Sequence, residues 1–322
     1  MRTIAVIGGG DSSEYDISVK SASEVKRAIE GKYDVFLIFI KGSYWYWEEP
    51  GGRYIPVDKN NFTLQLSDRR VRFDAVFIAI HGKPGENGLL QGYFDMIGLA
   101  YSSCDAFCSA LTFNKQACKL YLKEFDIPMA RSLMLRKGGN FNNASVADQI
   151  GYPCFVKPND SGSSCGVSRV EKEARLNDAI EAAFKESNEL LVESAMQGME
   201  VACGVIKTRE NEIILPVTEI ISKNEFFDYE AKYTPGMADE ITPARLPAET
   251  YKTVQDLSSR IYDHLGCKGI VRVDFIIVDN SPKFLEINSV PGMTAESIIP
   301  KQIAAYGLTT TELYTMILED LF

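Results

Sequence analysis

The stretch Gly269-Ile270-Val271-Arg272-Val273-Asp274-Phe275-Ile276-Ile277-Val278, followed by the turn Asp279-Asn280-Ser281-Pro282 and by Lys283-Phe284-Leu285-Glu286-Ile287-Asn288, decides how this chain is read. Its apolar run has the composition of a strand, and a period of two sorts the side chains. Val271, Val273, Phe275 and Ile277 face one side, and Arg272 and Asp274 face the other. On Lys283–Asn288, Glu286 and Asn288 share a face. The residues between are turn formers. Same-face pairing requires a loop of about three or five residues, and one such register sets Asp274 opposite Glu286 and Arg272 opposite Asn288. Opposed Cβ atoms sit about 5 Å apart. Two carboxylates that close repel unless one is protonated or a cation lies between them. Asp, Glu and Asn form an all-oxygen set, which suits Mg²⁺ shared with substrate phosphates. A merely solvated strand face would scatter Lys and Thr along both strands. Here the charges gather at the ends nearest Pro291-Gly292. The hairpin reads as the Mg²⁺ and nucleotide-phosphate site of an ATP-using enzyme.

Working outward, the last third is strand-rich: Val201–Lys207, Ile213–Ile221 and the hairpin, with one helix over Ala248–Leu265. Asn224–Pro247 has no clear period and is long for a connection, as lids are. Upstream, Cys154–Lys157 and Gly166–Val170 are short strand signals around a Gly/Ser segment. Glu173–Glu186 reads as a helix and Leu190–Glu193 as a strand. Residues 105–124 form a helical stretch ended near Ile127-Pro128. Residues 1–104 alternate strand and helix: Thr3–Gly8, Ile17–Ile29, Asp34–Ile40 and Asp74–Ile80. That pattern predicts an α/β domain with a parallel sheet.

The segment Asn159-Asp160-Ser161-Gly162-Ser163-Ser164-Cys165-Gly166 can turn successive backbone N–H groups toward phosphate oxygens. It is not a P-loop, because G-x-x-x-x-G-K-[ST] is absent. Lys115, Lys157 and Lys232 together supply positive charge for a triphosphate, although singly each is more often a surface lysine. Glu193 and Glu200, near strand ends, can accept hydrogen bonds from ribose hydroxyls or an adenine amino group. The glycines at Gly8–Gly10 fail the dinucleotide pattern: a third glycine is missing and Lys41 stands where an acid is wanted. They read as a tight turn admitting a small substrate, with Glu14 placed to hold an ammonium group.

Composition narrows the class. The 322 residues predict two or three domains. A net charge of −10 argues against a nucleic-acid partner. No apolar run approaches the ~20 residues that cross a bilayer, so no membrane partner is expected and the cytoplasm is the expected compartment. Seven cysteines without C-x-x-C spacing read as reduced buried thiols rather than a disulfide or zinc framework. Two histidines, His81 and His264, are too few for a His-rich metal site.

Taken in order, the motifs resemble the D-alanine–D-alanine ligases of the ATP-grasp superfamily. They are Gly9-Gly10-Asp11-Ser12-Ser13-Glu14 with Ile17-Ser18, and His81-Gly82-Lys83-Pro84-Gly85-Glu86-Asn87-Gly88. Next come Phe155-Val156-Lys157-Pro158, Gly162-Ser163-Ser164 and Tyr229-Glu230-Ala231-Lys232-Tyr233. The last are Gly269–Asp274 and Glu286–Thr294. The likeness covers nearly the whole chain. It implies an α/β chain, α+β in its C-terminal part, with an N-terminal parallel-sheet domain followed by a two-lobed ATP-grasp fold. The segments would be 1–104 for substrate, 105–198 for the central lobe, and 199–322 for the C-terminal lobe with lid 224–247. It implies ADP-forming ligation of two D-alanines through an acyl phosphate, for peptidoglycan precursors. ATP and two Mg²⁺ (or Mn²⁺) would serve, in a homodimer.

By resemblance, Asp274, Glu286 and Asn288 hold the metals, and Arg272 with the Gly292 N–H stabilises the tetrahedral oxyanion. Glu14 and His81 bind the first D-alanine; Ser297 and Ile298 meet the second. Ser163 and Tyr233 hydrogen-bond with Glu14. Lys115, Lys157, Ser164, Glu193, Met196, Glu200 and Lys232 contact ATP. Two positions depart from the usual pattern: Tyr15 stands for His or Arg, and Cys165 for Val. The alternatives are a D-alanine–D-lactate ligase or another carboxylate–amine ligase of this superfamily, with Tyr233 favouring the dipeptide-forming branch. More distant rivals are a dinucleotide oxidoreductase and a non-catalytic nucleotide-binding regulator.

Overall fold

The computed structural model describes residues 1–160, 162, 166–222 and 237–322. Ser163, Ser164, Cys165, Lys232, Tyr233 and most of the expected lid therefore lie outside the described residues.

Three sheets organise the described residues. The first carries eight strands. Thr3–Gly9 lies at its centre, a run of β-branched and small residues buried on both faces, as a central parallel strand must be. It pairs in parallel with Asp34–Lys41 and Ala75–Ile78, and Ala75–Ile78 pairs in parallel with Ala100–Tyr101. The expected parallel sheet is only this half. Tyr44–Glu48, Tyr54–Asp58, Thr63–Gln65 and Arg70–Arg72 extend it as an antiparallel meander. Helix Tyr15–Ile29 buries Ser18, Ser21, Ala22, Val25 and Ile29.

The second sheet is antiparallel, in the order Ser168–Val170, Cys154–Pro158, Glu189–Ser194, Ser132–Arg136. The third runs Ala238–Ile241, Thr218–Ser222, Met199–Lys207, Gly269–Val278, Ser281–Asn288, with Glu212–Ile214 added to Met199–Lys207. The single strand expected over Ile213–Ile221 is thus two, and the segment expected to be a structureless lid contains the strand Ala238–Ile241.

The stretch at 105–124 is two helices, Ala106–Phe113 and Lys115–Lys123. Asn114 separates them; its extended backbone ends the first, and its side chain accepts the Ala117 N–H to cap the second. Both helices contribute to the core beneath the third sheet, through Cys108, Cys118 and Leu122. The C-terminal helices Ile298–Tyr306 and Thr310–Glu319 send Ile299, Ile303, Leu313, Tyr314, Ile317 and Leu318 into the core of the first sheet. The chain therefore crosses back on itself, and the first and third sheets are tied together around the charged hairpin.

Candidate active site

The hairpin adopts the expected pairing by a different device. Asp279 and Asn280 form a two-residue turn with φ of 48° and 61°, the conformation that Asp and Asn tolerate and that matches strand twist. A two-residue turn alone would set Asp274 opposite Leu285. Instead the register shifts between Asp274 and Phe275, leaving Leu285 as the extra residue of a bulge. Asp274 then faces Glu286, and Arg272 faces Asn288.

The two neighbouring carboxylates are balanced by cations of the chain itself. Arg272 donates from Nε at 2.8 Å and Nη2 at 2.7 Å to the two oxygens of Asp274. Burial works against the Arg272 charge, but Asp274 outweighs it and holds the guanidinium more firmly protonated than usual. Asn288 Nδ2 donates to Asp274 Oδ2 at 3.1 Å, and its amide oxygen remains to offer a cation. Lys115 Nζ lies 3.8 Å from Glu286 Oε2. Two carboxylates and a carboxamide on one sheet face fit a divalent ion that prefers oxygen. Arg272 and Lys115 thus supply positive charge to the two carboxylates before any ion arrives.

A buried charge cluster joins the second sheet to helix Lys115–Lys123. Glu193 is ion-paired with both Lys119 and Lys157. Burial opposes the Glu193 charge, yet the two ammonium groups keep its carboxyl below the ordinary range. Burial lowers Lys119. Glu193, expected to meet the nucleotide sugar or base, carries in addition these two buried lysine pairs. Lys119 was missed. It stands four residues after Lys115 on one helix, and that i, i+4 lysine pair was the available signal. Asn159, fully buried, fastens this helix to the strand before the Gly/Ser segment. Its carbonyl accepts the Lys115 N–H at 3.0 Å and its Oδ1 accepts the Gln116 N–H at 2.9 Å. Met196 lies in the link between Glu189–Ser194 and Met199–Lys207, with Glu200 just beyond it, where the chain passes from the second sheet to the third.

The first-sheet loops close the other side. Gly9 and Gly10 have φ of +99° and +106°, and a Cβ on Gly9 would lie 2.4 Å from the Ile40 carbonyl; only glycine makes that turn. Glu14 follows, nearly buried. Gly162 reaches over it: a Cβ there would stand 2.6 Å from Glu14 Oε2. Lys83 adds an ion pair to Asp160 at 2.7 Å. Gly162 thus touches Glu14.

His81 is buried, and both its ring nitrogens are engaged. Nδ1 lies 2.8 Å from the Val290 carbonyl and Nε2 lies 2.9 Å from Ser21 Oγ. Burial lowers its basicity. A neutral ring protonated at Nδ1 satisfies both contacts, with Ser21 donating to Nε2 and accepting the Met293 N–H at 3.3 Å. Glu86 accepts the Gly82 N–H at 2.6 Å and the Val290 N–H at 3.3 Å. His81 was expected to bind the first D-alanine; the contacts its ring makes hold the loop that carries Gly292. Ser21 and Glu86 were missed as site residues. Ser21 could have been found as a small polar residue on the buried stripe of its helix.

Gly292 and Ser297 come together, since a Cβ on Gly292 would lie 2.7 Å from Ser297 Oγ. Ser297 bonds Thr294 at 2.8 Å and precedes helix Ile298–Tyr306, whose first residue is buried. Gln302 fixes that helix on the third sheet by accepting the Gly204 N–H and donating to Ala202 and Thr218. A helix start of this kind is disposed to receive a carboxylate.

Carboxylates, lysines and an arginine so placed do not by themselves fix a family, and comparison with known proteins decides it. The D-ala D-ala ligase N-terminus family matches residues 3–104, and the D-ala D-ala ligase C-terminus family matches residues 121–319. The chain belongs to the D-alanine–D-alanine ligase family. A relative named D-alanine–D-alanine ligase from Phocaeicola vulgatus is 47% identical, over 100% of this chain and 99% of its own. The VanG D-Ala:D-Ser ligase from Enterococcus faecalis superposes with a TM-score of 0.87 at 32% identity, covering 100% of this chain and 99% of that one. The D-alanine–D-alanine ligase from Bacillus anthracis complexed with ATP gives 0.79 at 28% identity, covering 99% and 97%. The fold is accordingly α/β with the ATP-grasp architecture of these neighbours. No helix among the described residues is long and apolar enough to cross a membrane.

Proposed function

We propose that this chain joins two D-alanine molecules to D-alanyl-D-alanine, cleaving ATP to ADP and phosphate, to supply peptidoglycan precursors. The observation that carries this is the bulged hairpin, which sets Asp274 beside Glu286 and Arg272 beside Asn288, in a chain of this ligase family from end to end. Full-length relatives named for the D-alanine dipeptide do not favour the D-lactate alternative.

A carboxylate is a poor acyl donor. One oxygen of the first D-alanine carboxylate attacks the γ-phosphorus, ADP departs, and an acyl phosphate results. The amine of the second D-alanine then attacks the carbonyl carbon, loses a proton, and inorganic phosphate leaves. Two Mg²⁺ ions, or Mn²⁺, held by Asp274, Glu286 and Asn288 would neutralise charge on the transferring phosphoryl group. Lys115 and Lys157 add positive charge there. Lys119 and Glu193 fix Lys157 from behind. Ser164, Lys232, Met196 and Glu200 complete the nucleotide contacts in this reading. Arg272 and the Gly292 N–H stabilise the oxyanion of the tetrahedral intermediate. Glu14 receives the ammonium of the first D-alanine, supported by Ser163 and Tyr233. His81 contributes by holding the Gly292 loop. Ser297 and Ile298, at the helix start, receive the second carboxylate.

The segments divide the work as 1–104 for substrate, 105–198 for nucleotide, and 199–322 for metal and the lid at 224–247. The lid would keep water from the acyl phosphate. The reading includes a homodimer working in the cytoplasm. Product analysis tests it: with ATP, Mg²⁺ and D-alanine, D-alanyl-D-alanine accumulates. With D-lactate or D-serine added, the dipeptide of D-alanine remains the main product. A depsipeptide or D-alanyl-D-serine as main product would overturn the assignment.

A further inference from the structure

Away from the ligase site, three of the cysteines converge. Cys104 follows the last strand of the first sheet, Cys108 lies in helix Ala106–Phe113, and Cys267 sits between helix Ala248–Leu265 and strand Gly269–Val278. Their sulfurs all lie within 4.8 Å of one another, and no other group of three or more His, Cys, Asp or Glu ligand atoms does so among the described residues. Cys108 Sγ is 3.8 Å from Cys267 Sγ. All three are buried, with Cys267 the most accessible at 7%.

The surroundings hold these sulfurs in place. Gly269 has φ of +65°, and a Cβ there would lie 2.0 Å from the Ser102 carbonyl, so the segments bearing Cys104 and Cys267 are pressed backbone to backbone. The Lys268 N–H points at Cys104 Sγ from 3.5 Å. Asp105 caps the helix by accepting the Cys108 N–H at 2.9 Å, which fixes the turn between Cys104 and Cys108.

We propose that Cys104, Cys108 and Cys267 form a three-thiolate site for a soft, closed-shell metal ion, either Zn²⁺ or Cu⁺. Tetrahedral zinc with Zn–S of about 2.3 Å separates its sulfurs by about 3.8 Å, which is the Cys108–Cys267 spacing. Thiolates select thiophilic ions over Mg²⁺, so the site is chemically separate from the oxygen ligands of the hairpin. Charge favours Zn²⁺: three thiolates around it carry a net −1, against −2 around Cu⁺, and burial penalises the larger charge. The ion would tie the end of the first sheet to the strand that carries Arg272 and Asp274, without entering the reaction. Thiolates are the ligands, so binding releases the protons that these thiols still carry.

The full chain, freed of metal and kept reduced, is titrated with Zn²⁺ against a chromophoric chelator, and separately with Cu⁺ against a copper(I) chelator. One tight equivalent of Zn²⁺ is expected in the absence of ATP. It should weaken at least 100-fold in Cys108→Ser and Cys267→Ser, and persist in Glu286→Gln. X-ray absorption on the zinc-loaded wild type, which needs no variant to fold, should give a sulfur shell at about 2.3 Å. Tight binding of Cu⁺ alone would keep the site and assign the other ion. Absence of a tight equivalent of either ion, a shell of nitrogen and oxygen only, or loss of binding in Glu286→Gln with retention in Cys108→Ser would overturn the proposal.

Discussion

The imidazole Nδ1 of His81 lies 2.8 Å from the carbonyl oxygen of Val290, joining the first sheet to the loop of Gly292. The same residue's N–H is held by Glu86, and Ser21 bridges the other ring nitrogen to the Met293 N–H. Three side chains of one segment of the fold therefore set the backbone of another. The distance matters because an oxyanion donor must stand within a few tenths of an ångström of its place.

Ser21→Ala tests this coupling. It leaves a buried imidazole nitrogen and a buried N–H without their partner. Stability should fall by about 1–3 kcal/mol in urea unfolding. Turnover should fall by about tenfold while the KM for ATP changes little, because the proposed nucleotide contacts are made by other residues. An unchanged turnover would mean that the loop keeps its place without Ser21.

Glu193→Gln tests the buried charge cluster. Removing one partner leaves Lys119 and Lys157 facing each other in a buried site. The expected cost is about 3–5 kcal/mol in chemical denaturation. A Glu193 that served only as a ribose or base contact would raise the KM for ATP and leave stability unchanged.

The pH dependence of stability carries the signature of Glu86. Burial, with the nearby Glu14 charge adding to it, pushes its carboxyl up to about 7 from an ordinary 4.5. The folded chain therefore holds a proton that the unfolded chain has released across that window. The resulting stabilisation is complete below the unfolded value and is lost as pH rises through about 7. His81 acts with the opposite sign, since its lowered basicity leaves the unfolded chain with more bound proton below its ordinary value of 6.5. Comparing wild type with Glu86→Gln isolates the carboxyl: the melting temperature of the variant should fall less between about pH 5 and 8, by about 2 °C. Parallel pH profiles for the two proteins would remove the assignment.

Much of this site was legible in the sequence, and the exceptions have physical causes. Strand parity alone gave the face shared by Arg272 and Asp274 and limited the pairing to two registers, one of which is the observed pairing with Asn288 and Glu286. It could not give the means, because a two-residue turn plus a bulge at Leu285 has the same parity as a three-residue loop. The meander at 44–72 was not foreseen. Its strands are short and its aromatic residues are half-exposed, so no clean period marks them. Ala238–Ile241 is an edge strand of weak intrinsic preference, identified only by its pairing with Thr218–Ser222. The pairing of Glu193 with Lys119 was not foreseen because the two are far apart in sequence and near only in the fold. The three cysteines show the same limit, since Cys267 meets Cys104 and Cys108 only once the chain has crossed over.

Withholding Mg²⁺ separates fold from chemistry. Asp274 is already satisfied by Arg272 and Asn288, so the hairpin does not depend on the ion. Without Mg²⁺, dipeptide formation should stop, and the melting temperature of the ligand-free chain should stay within about 2 °C. Mn²⁺ should restore turnover, being another ion that oxygen ligands accept. A large loss of stability would instead make the metal structural.

The central claim is that the bulged hairpin drives phosphoryl transfer from ATP to a D-alanine carboxylate. Phosphate release from ATP, followed with and without D-alanine in wild type and in Glu286→Gln, addresses it most directly. The account predicts release that depends on D-alanine in the wild type and falls at least 100-fold in Glu286→Gln, with the circular dichroism of the variant unchanged. Release that D-alanine does not stimulate, or a Glu286→Gln enzyme as fast as the wild type, would contradict it.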